Sequence, residues 1–425
     1  MTAALLIAFL GLLLIGVPVA IALGGASLLY VWLQDTTPLL VVVHRMASGV
    51  DSFPLLAIPF FIMAGSLMNS AGITERIYDF AMALVGWLKG GLGHVNVVGS
   101  VIFAGMSGTA VADAGGLGNI EIKAMRDHGY DARFAVGITG ASSTIGPIIP
   151  PSLPLVIYGV MANTSIGQLF AAGVIPGLVM AASMMAMVTY YAHIRGFHRD
   201  AVFRIAVLWH TFKRAFLPLM TPVIMIGGMT TGIFTPTEAA IAATAYALVL
   251  GLFVYRSLSL KGLIKVSMET AETTAIVLLI VAGASIFGYL ITTTRVTDNV
   301  AELVLMVTDK PWAVLLLVNL FLLVVGCFME TIAAITILVP VLLPLMDKVG
   351  VDPVHFGIIM VLNLMIGLLT PPVGMVLYIL ARVANITFEE ATRACLPFLV
   401  PLLATLAIVT YWADMVLWLP TIFYR

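Results

Sequence analysis

The sequence predicts an all-α polytopic membrane protein with about 11–12 membrane segments in two structural repeats, which we expect to be inverted. Two observations support this prediction. Hydrophobic residues make up 61% of the chain and charged residues only 10%, whereas soluble domains carry about 25% charged residues. In addition, a proline-rich interruption of an apolar segment occurs twice, at matching positions of the two halves.

Charge-free runs define the membrane segments. Most are close to the ~20 residues that a spanning helix needs, and the longest must contain more than one crossing. The first run, 1–34, lacks a basic n-region and is too long for a cleavable signal, so we expect it to remain as the first helix. The later runs are 52–74, 90–112, 134–194, 215–237, 239–255, 273–294, 311–329, 353–381 and 394–413.

Basic residues predict the orientation of these segments. The densest basic stretch is the 193–214 loop, which the positive-inside rule places in the cytoplasm. A second basic loop at 256–265 belongs on the same side, so 215–255 should contain two helices that cross and return. No basic residue precedes Arg45, which predicts an outward N-terminus and a cytoplasmic loop at 34–53.

Two halves of the chain resemble each other. The segment IGPIIPPSLPLVIYGVMANTSI corresponds to IGLLTPPVGMVLYILARVANIT, and Gly146 matches Gly367 at the same offset at which Pro150 matches Pro371. Repeated, interrupted apolar segments are typical of transporters that bind their substrate near the membrane midplane. We assign repeat 1 to 54–190, with a hairpin at 90–122 and a break at 143–154. Repeat 2 is assigned to 275–410, with a hairpin at 311–346 and a break at 367–372. The remaining segments, 1–53 and 191–274, are assigned to scaffold or connecting helices.

Prolines inside an apolar helix leave backbone carbonyls unpaired. Each proline lacks an amide hydrogen and frees the carbonyl four residues earlier. Unpaired carbonyls cost several kcal/mol in lipid, so such backbone must be buried in protein or line a wet cavity. A cluster of these oxygens suits sodium, although structural kinks are the alternative explanation. The carbonyls freed belong to Ser143, Gly146, Pro147 and Pro150 in the first break and to Gly367 and Leu368 in the second.

Two hairpins that meet the broken helices tip to tip would enclose a cation from both sides. We expect sodium to be the only metal. For the first cation site the candidates are Ser107, Gly108, Thr109, Asp113, Ser143, Gly146, Pro147 and Pro150. For the second they are Met329, Glu330, Thr331, Gly367, Thr370 and Pro371.

Polar residues inside apolar segments indicate function, because a charge there costs ~2.5–3.5 kcal/mol on insertion scales. Asp113 could ligate sodium or cap a helix, and Glu330 could ligate sodium or pair with an arginine. Arg382 could receive a substrate carboxylate or extend to the membrane surface. Asn163 could contact substrate or end the broken helix, and Ser152 completes the candidate substrate-binding set.

Missing motifs disfavour several function classes. The chain has no H-E-x-x-H, P-loop or G-x-S-x-G motif, and its histidines lack ligand spacing. We therefore expect neither an enzyme nor ATP hydrolysis by this chain, and no cofactor. Cys327 and Cys395 lie in apolar segments, where packing is more common than a disulfide.

With these residues in view, the chain resembles the large membrane subunit, the DctM-like component, of tripartite ATP-independent periplasmic (TRAP) transporters over nearly its whole length. Five motifs carry this resemblance. They are DSFPLLAIPFFIMAGSLMNSAGITERI from Asp51, GHVNVVGSVIFAGMSGTAVADAG from Gly93, GPIIPPSLPLVIYGV from Gly146, GIFTPTEAA from Gly232 and LLTPPVG from Leu368.

The resemblance implies a permease of the bacterial inner membrane that imports a carboxylate such as a C4-dicarboxylate, sialic acid or another sugar or keto acid by sodium symport. In that membrane the outward N-terminus predicted from the basic residues is periplasmic. It implies as partners a small four-helix membrane subunit and a periplasmic binding protein. It also implies an elevator movement, with sodium at the hairpin tips. The alternatives are a sodium-coupled carboxylate transporter without a binding protein, a passive channel and an intramembrane enzyme.

Overall fold

The computed structural model is built from α-helices. It describes residues 2–34 and 37–424, with residues 2, 3 and 105–107 described by their backbone alone. These parts contain 21 α-helices and no β-strand. Seven of the described helices are long and apolar enough to cross a membrane. The prediction of an all-α polytopic membrane protein is therefore confirmed.

The first charge-free run contains two helices, so the expectation of a single helix over 1–34 is wrong. Gly16 adopts a φ of +86°, and the amide of Val17 donates to the carbonyl of Leu12 at 3.0 Å. This is the pattern of a glycine-terminated helix, and Pro18 has no amide hydrogen with which to continue it. The N-terminal helices are α1 (Thr2–Leu14), α2 (Val19–Gln34) and α3 (Leu40–Val50).

The first half of the chain continues with short and long helices. After a short 3-10 turn, these are α4 (Ala57–Ser70), α5 (Ile73–Val85), α6 (Gly91–Ser107), α7 (Ala110–Gly115), α8 (Leu117–Asp127), α9 (Ala132–Ser143), α10 (Leu153–Met161) and α11 (Ile166–Ile194). Between α9 and α10 the chain leaves the helical conformation at the proline cluster, and the peptide bond between Pro150 and Pro151 is cis.

The second half repeats the hairpin and the broken helix, with the single helix α17 in place of α7 and α8. It is preceded by α12 (Ile205–Thr230), α13 (Pro236–Val249), a π-helical turn, α14 (Leu260–Thr293) and α15 (Val296–Val307). The half itself contains α16 (Pro311–Phe328), α17 (Thr331–Lys348), α18 (Pro353–Gly367), α19 (Met375–Ala384), α20 (Phe388–Tyr411) and α21 (Ala413–Phe423). A second break separates α18 from α19, and the peptide bond between Pro371 and Pro372 is also cis.

Matching residues delimit matching helices in the two halves. The carboxylate of Asp131 caps α9, and that of Asp352, at the corresponding position of the second half, caps α18. Asn163 follows α10 with a φ of +51°, and Asn385 follows α19 with a φ of +54°. Asparagine tolerates this left-handed conformation better than most residues, which explains why it ends both half-helices.

The two halves pack through each other's broken helices. α10 packs on α17, and α19 packs on α7 and α8, while α9 contacts α20 and α18 contacts α11. The hydroxyl of Tyr158 donates to the carbonyl of Pro353 at 2.7 Å. A Cβ on Gly137 would lie 2.3 Å from the carbonyl oxygen of Ala394, so glycine is required for this approach. Helices α6–α11 and α16–α20 thus form one packed unit, called the central block below.

The loop at 34–53 lies on the opposite side from the basic loop at 256–265, so the prediction that both are cytoplasmic is wrong. The guanidinium of Arg45 stacks over the ring of Tyr289, 4.2 Å from its centroid. At 1.5 Å per residue, Tyr289 lies about 42 Å along α14 from Lys261. The prediction rests on a single arginine, whereas the positive-inside rule is a statistical tendency counted over several charges.

Candidate functional site

The first hairpin tip consists of Gly108 and Thr109, between α6 and α7. Gly108 has a φ of +62°, which glycine adopts at little cost, and its carbonyl accepts from the amide of Leu153 at 3.4 Å. Oγ1 of Thr109 caps α7 by accepting from the amide of Ala112 at 3.2 Å. The tip therefore contacts the start of α10. The side chain of Ser107, the third tip candidate, lies outside the described residues.

Hydroxyl groups hold the first break in place. Ser152 donates to the carbonyl of Pro147 and accepts from the amide of Leu155 at 3.2 Å. Its hydroxyl is therefore engaged within the break, although it was a candidate substrate contact. Ser143 donates to the carbonyl of Gly140 at 2.8 Å, so its hydroxyl proton is already used.

Three carbonyls of the first break remain unpaired, as the prolines predict. Among the described residues, which exclude the side chains of residues 105–107, no hydrogen bond reaches the carbonyl oxygens of Ser143, Gly146 or Pro150. Gly146 is itself buried. Buried carbonyls are nearly always satisfied in proteins, so these oxygens are available to a ligand.

The second hairpin tip is formed by Met329, Glu330 and Thr331. Met329 ends α16, and Oε2 of Glu330 caps α17 by accepting from the amide of Ala333 at 3.1 Å. Glu330 thus takes the place that Thr109 has in the first hairpin, at the offset that relates the two breaks. Oγ1 of Thr331 is buried and has no hydrogen-bond partner among the described residues.

The second break lies directly against the second hairpin. The amide of Val373 donates to the carbonyl of Cys327 at 3.2 Å. A Cβ on Gly367 would lie 2.4 Å from the carbonyl carbon of Gly326, so the two backbones touch. Thr370 donates its amide to Gly367 and its hydroxyl to the carbonyl of Ile366, at 2.9 and 3.0 Å. The carbonyl of Gly367 is therefore satisfied, and the adjacent Pro371 supplies no donor.

One cavity brings the two tips together. It encloses about 1090 Å³ including its open mouth and is lined by Thr109 and Leu153 from the first half and by Glu330 and Met375 from the second. The opposite wall comes from α14, around Thr273, and from residues 18–20 at the start of α2. The walls are mainly apolar with few polar groups, which is typical of a site for a small solute. This space is called the central cavity below.

Three candidate residues lie away from the central cavity. Asp113 is buried, and the Ser100 hydroxyl of α6 lies beside its carboxyl group, between the arms of the hairpin. Arg382 is exposed near the end of α19, about 12 Å along the helix from Gly374. Asn163 is exposed at the far end of α10. The structure therefore does not bring Arg382 and Asn163 together, and both agree with the helix-end alternative.

The structure also reveals polar clusters that the motif analysis missed. In the first half Ser142 donates to Oδ1 of Asn96 at 2.5 Å, and Asn96 donates to Thr139 at 2.6 Å. In the second half Asn363, which corresponds to Ser142, donates to Oδ1 of Asn319 at 2.7 Å. Each pair ties the first arm of a hairpin to the broken helix beside it. A lone asparagine in an apolar arm was the available signal, because buried amides in membranes are costly unless paired.

The chain matches known proteins along nearly its whole length. Residues 6–415 match the family model described as the DctM component of the tripartite ATP-independent periplasmic transporter. The chain is 49% identical to the sialic acid TRAP transporter large permease protein SiaM of Vibrio cholerae, covering 98% of this chain and 97% of that one. It is 43% identical to the sialic acid TRAP transporter permease protein SiaT of Haemophilus influenzae, over 98% of this chain and 68% of the other.

A solved structure with the same fold is the YdaH transporter of Alcanivorax borkumensis. The two align with a TM-score of 0.61 at 14% identity, covering 88% of this chain and 87% of that one. At this identity the likeness concerns the fold alone.

Proposed function

Because the chain belongs to the family of DctM components of tripartite ATP-independent periplasmic transporters, we propose that it is the subunit through which a carboxylate-bearing solute enters the cell. It is a multi-pass membrane transport protein and not an enzyme. The observation that carries the proposal is the central cavity, where both hairpin tips meet at one site. A solute held there would contact both halves, as expected of a mid-membrane transport site.

We propose sialic acid as the solute. The two relatives described above are both sialic acid transporters, at 49% and 43% identity over nearly the whole chain. In the central cavity the Thr109 hydroxyl, whose oxygen caps α7, still has a proton to donate, and the apolar walls offer contact area, whereas the carboxylate of Glu330 caps α17. C4-dicarboxylates and keto acids are the competing solutes.

We propose that sodium drives uptake by binding at the two hairpin tips. The first tip has three unpaired carbonyls nearby, and the second has the unpartnered hydroxyl of Thr331. Carbonyl and hydroxyl oxygens are the ligands that a small hard cation prefers. An ion at either position would satisfy oxygens that otherwise raise the free energy of the folded state.

The small membrane subunit and the periplasmic binding protein are the proposed partners, in the bacterial inner membrane. We place the N-terminus in the periplasm, because the ring of Phe9 on α1 packs at a tilt against that of Phe287, with centroids 5.0 Å apart, far along α14 from the basic loop at 256–265. We propose further that the hairpins are re-entrant and that the central block moves as an elevator. Helices α4, α12 and α14 would then form part of the stationary scaffold.

The test is uptake of radiolabelled sialic acid into liposomes that contain this chain, its small membrane subunit and its binding protein. We expect saturable uptake that requires an inward sodium gradient. Thr109→Ala should lower it by about tenfold, which corresponds to a loss of about 1.4 kcal/mol of binding free energy. Thr109→Ser keeps the oxygen, and Cys327→Ser lies outside the site, so both should retain uptake.

Three results would contradict parts of the proposal. Uptake that persists without a sodium gradient would exclude sodium coupling, and non-saturating solute flux would indicate a channel. Saturable uptake of radiolabelled succinate, with none of radiolabelled sialic acid, would reassign the solute to the dicarboxylates.

A further inference from the structure

A pair of buried carboxyl groups lies inside the first hairpin. Asp113 of α7 is 2% exposed and Glu121 of α8 is 1% exposed. Oδ2 of Asp113 and Oε1 of Glu121 are both buried without a hydrogen-bond partner among the described residues. The Ser100 hydroxyl lies beside Asp113, and a Cβ on the adjacent Gly99 would lie 3.0 Å from Oε1 of Glu121. The two carboxyl groups therefore face the same stretch of α6.

No side chain compensates the charge of this pair. Neither acid forms an ion pair within the part of the chain that is described, and the basic residues of α8, Lys123 and Arg126, are exposed. The hydroxyl of Tyr78 on α5 is also buried and has no hydrogen-bond partner among the described residues. Two unpaired carboxylates are too costly in a buried site, so a positive charge must accompany them.

The second hairpin shows that the fold does not need these acids. At the offset that relates the two halves, Ala334 corresponds to Asp113 and Leu342 to Glu121. Both belong to α17 and are buried, at 0% and 4% exposure. Since apolar residues fill the corresponding positions in a matching hairpin, packing alone does not explain a buried acidic pair in the first.

We propose that Asp113, Glu121 and Ser100 form a third cation site that binds one sodium ion between the arms of the first hairpin. All of its donors are oxygens, which suits a hard cation. The site is distinct from the first tip, because Ser100 lies about 12 Å along α6 from Gly108. The inference builds on the proposed sodium-driven transport and moves Asp113 from the tip site to a separate one.

The test counts bound sodium. Radioactive sodium binding to the purified chain with its small membrane subunit is measured at constant ionic strength, with choline as the replacing cation. Wild type should bind one ion more than Asp113→Asn or Glu121→Gln, in which the affinity of this site should fall at least tenfold. Glu389→Gln, which neutralises an exposed carboxylate of α20, is the matched control and should bind as wild type does.

The remaining results separate this inference from the proposed function. An unchanged sodium count in both variants would overturn the third site and leave a proton as the compensating charge. Glu121→Leu, which copies the second hairpin, keeps the test valid if Glu121→Gln fails to fold. Loss of an ion in Thr331→Val but not in Glu121→Gln would support the tip site and reject this one. Wild type that binds no sodium would reject both.

Discussion

At the scale of single residues, Thr331 offers the sharpest test of the second tip. Its hydroxyl is buried and unpartnered among the described residues, and such a group costs about 1–3 kcal/mol. Thr331→Val preserves the shape and removes that oxygen, so we expect an equal or higher melting temperature in choline chloride. In sodium chloride the melting temperature of this variant should rise less than that of wild type, because an ion ligand is missing.

A matched threonine controls for the exchange of a hydroxyl for a methyl group. Thr405 is fully buried, but its hydroxyl donates to the carbonyl of Pro401 at 2.9 Å. Thr405→Val should therefore lower the melting temperature in both salts and leave the sodium response unchanged. A full sodium response in Thr331→Val would remove Thr331 from the cation site.

Gly367 allows a second test at the residue scale, because its backbone contacts the backbone of Gly326. Gly367→Ala would place Cβ 2.4 Å from the carbonyl carbon of Gly326, and backbone atoms cannot yield as a flexible side chain does. Overpacking of this kind costs about 1–3 kcal/mol, so the melting temperature should fall in both salts. Gly227→Ala is the control, because a Cβ there meets nothing within 4 Å. Equal melting temperatures for both variants would contradict this account of α16 and α18.

Backbone properties that depend only on residue type could be predicted from the sequence more readily than the direction in which a side chain points. The prolines located three unpaired carbonyls in advance, because the loss of an amide hydrogen is a covalent property. The engagement of Ser152 with Pro147 and the exposure of Arg382 depend on rotamers and neighbouring helices, which no local pattern specifies. Glu121 was overlooked because the exposed Lys123 and Arg126 beside it made that stretch resemble a surface loop.

At the scale of helices and hairpins, Glu330 has a structural task that can be tested separately from ion binding. It caps α17 as Thr109 caps α7. Glu330→Ala should destabilise the protein by about 1 kcal/mol in either salt, whereas Glu330→Thr supplies the cap of the first hairpin and should not. The measurement is the melting temperature in choline chloride. If Glu330→Thr lowers the melting temperature as much as Glu330→Ala does, a threonine cap is not sufficient and the carboxylate itself stabilises the protein.

The same scale shows where pattern reasoning succeeded and failed. Two proline clusters in corresponding segments indicated both broken helices. The interruption of the first run was missed, since one Gly-Val-Pro sequence in a long apolar run gives a weak signal without a repeat to support it. In the structure residues 18–20 line the central cavity, so this third interruption lies beside both hairpin tips.

At the scale of the whole molecule, the packing of the two halves limits which parts can move independently. Broken helices of each half contact the hairpin of the other, and α9 and α20 are further joined by the ion pair of Arg133 with Glu390, at 3.8 Å. An elevator movement must therefore carry the central block as one body past α4, α12 and α14. Met225 of α12 and Leu153 of α10 line one small cavity, which would lie on the contact surface of the proposed movement.

Cross-linking tests this division of the molecule. The background carries Cys327→Ser and Cys395→Ala. Met225→Cys with Leu153→Cys then places one cysteine on the scaffold and one on the central block. Mercury should link these two cysteines and abolish uptake, and a thiol that removes the mercury should restore it. Arg133→Cys with Glu390→Cys joins two helices inside the block and should leave uptake unchanged after the same treatment. If cross-linking inside the block also stops uptake, the block is not a rigid body. If cross-linking across its boundary permits uptake, the solute crosses without an elevator movement, because a body fixed to its scaffold cannot carry an ion and a solute between the two sides of the membrane.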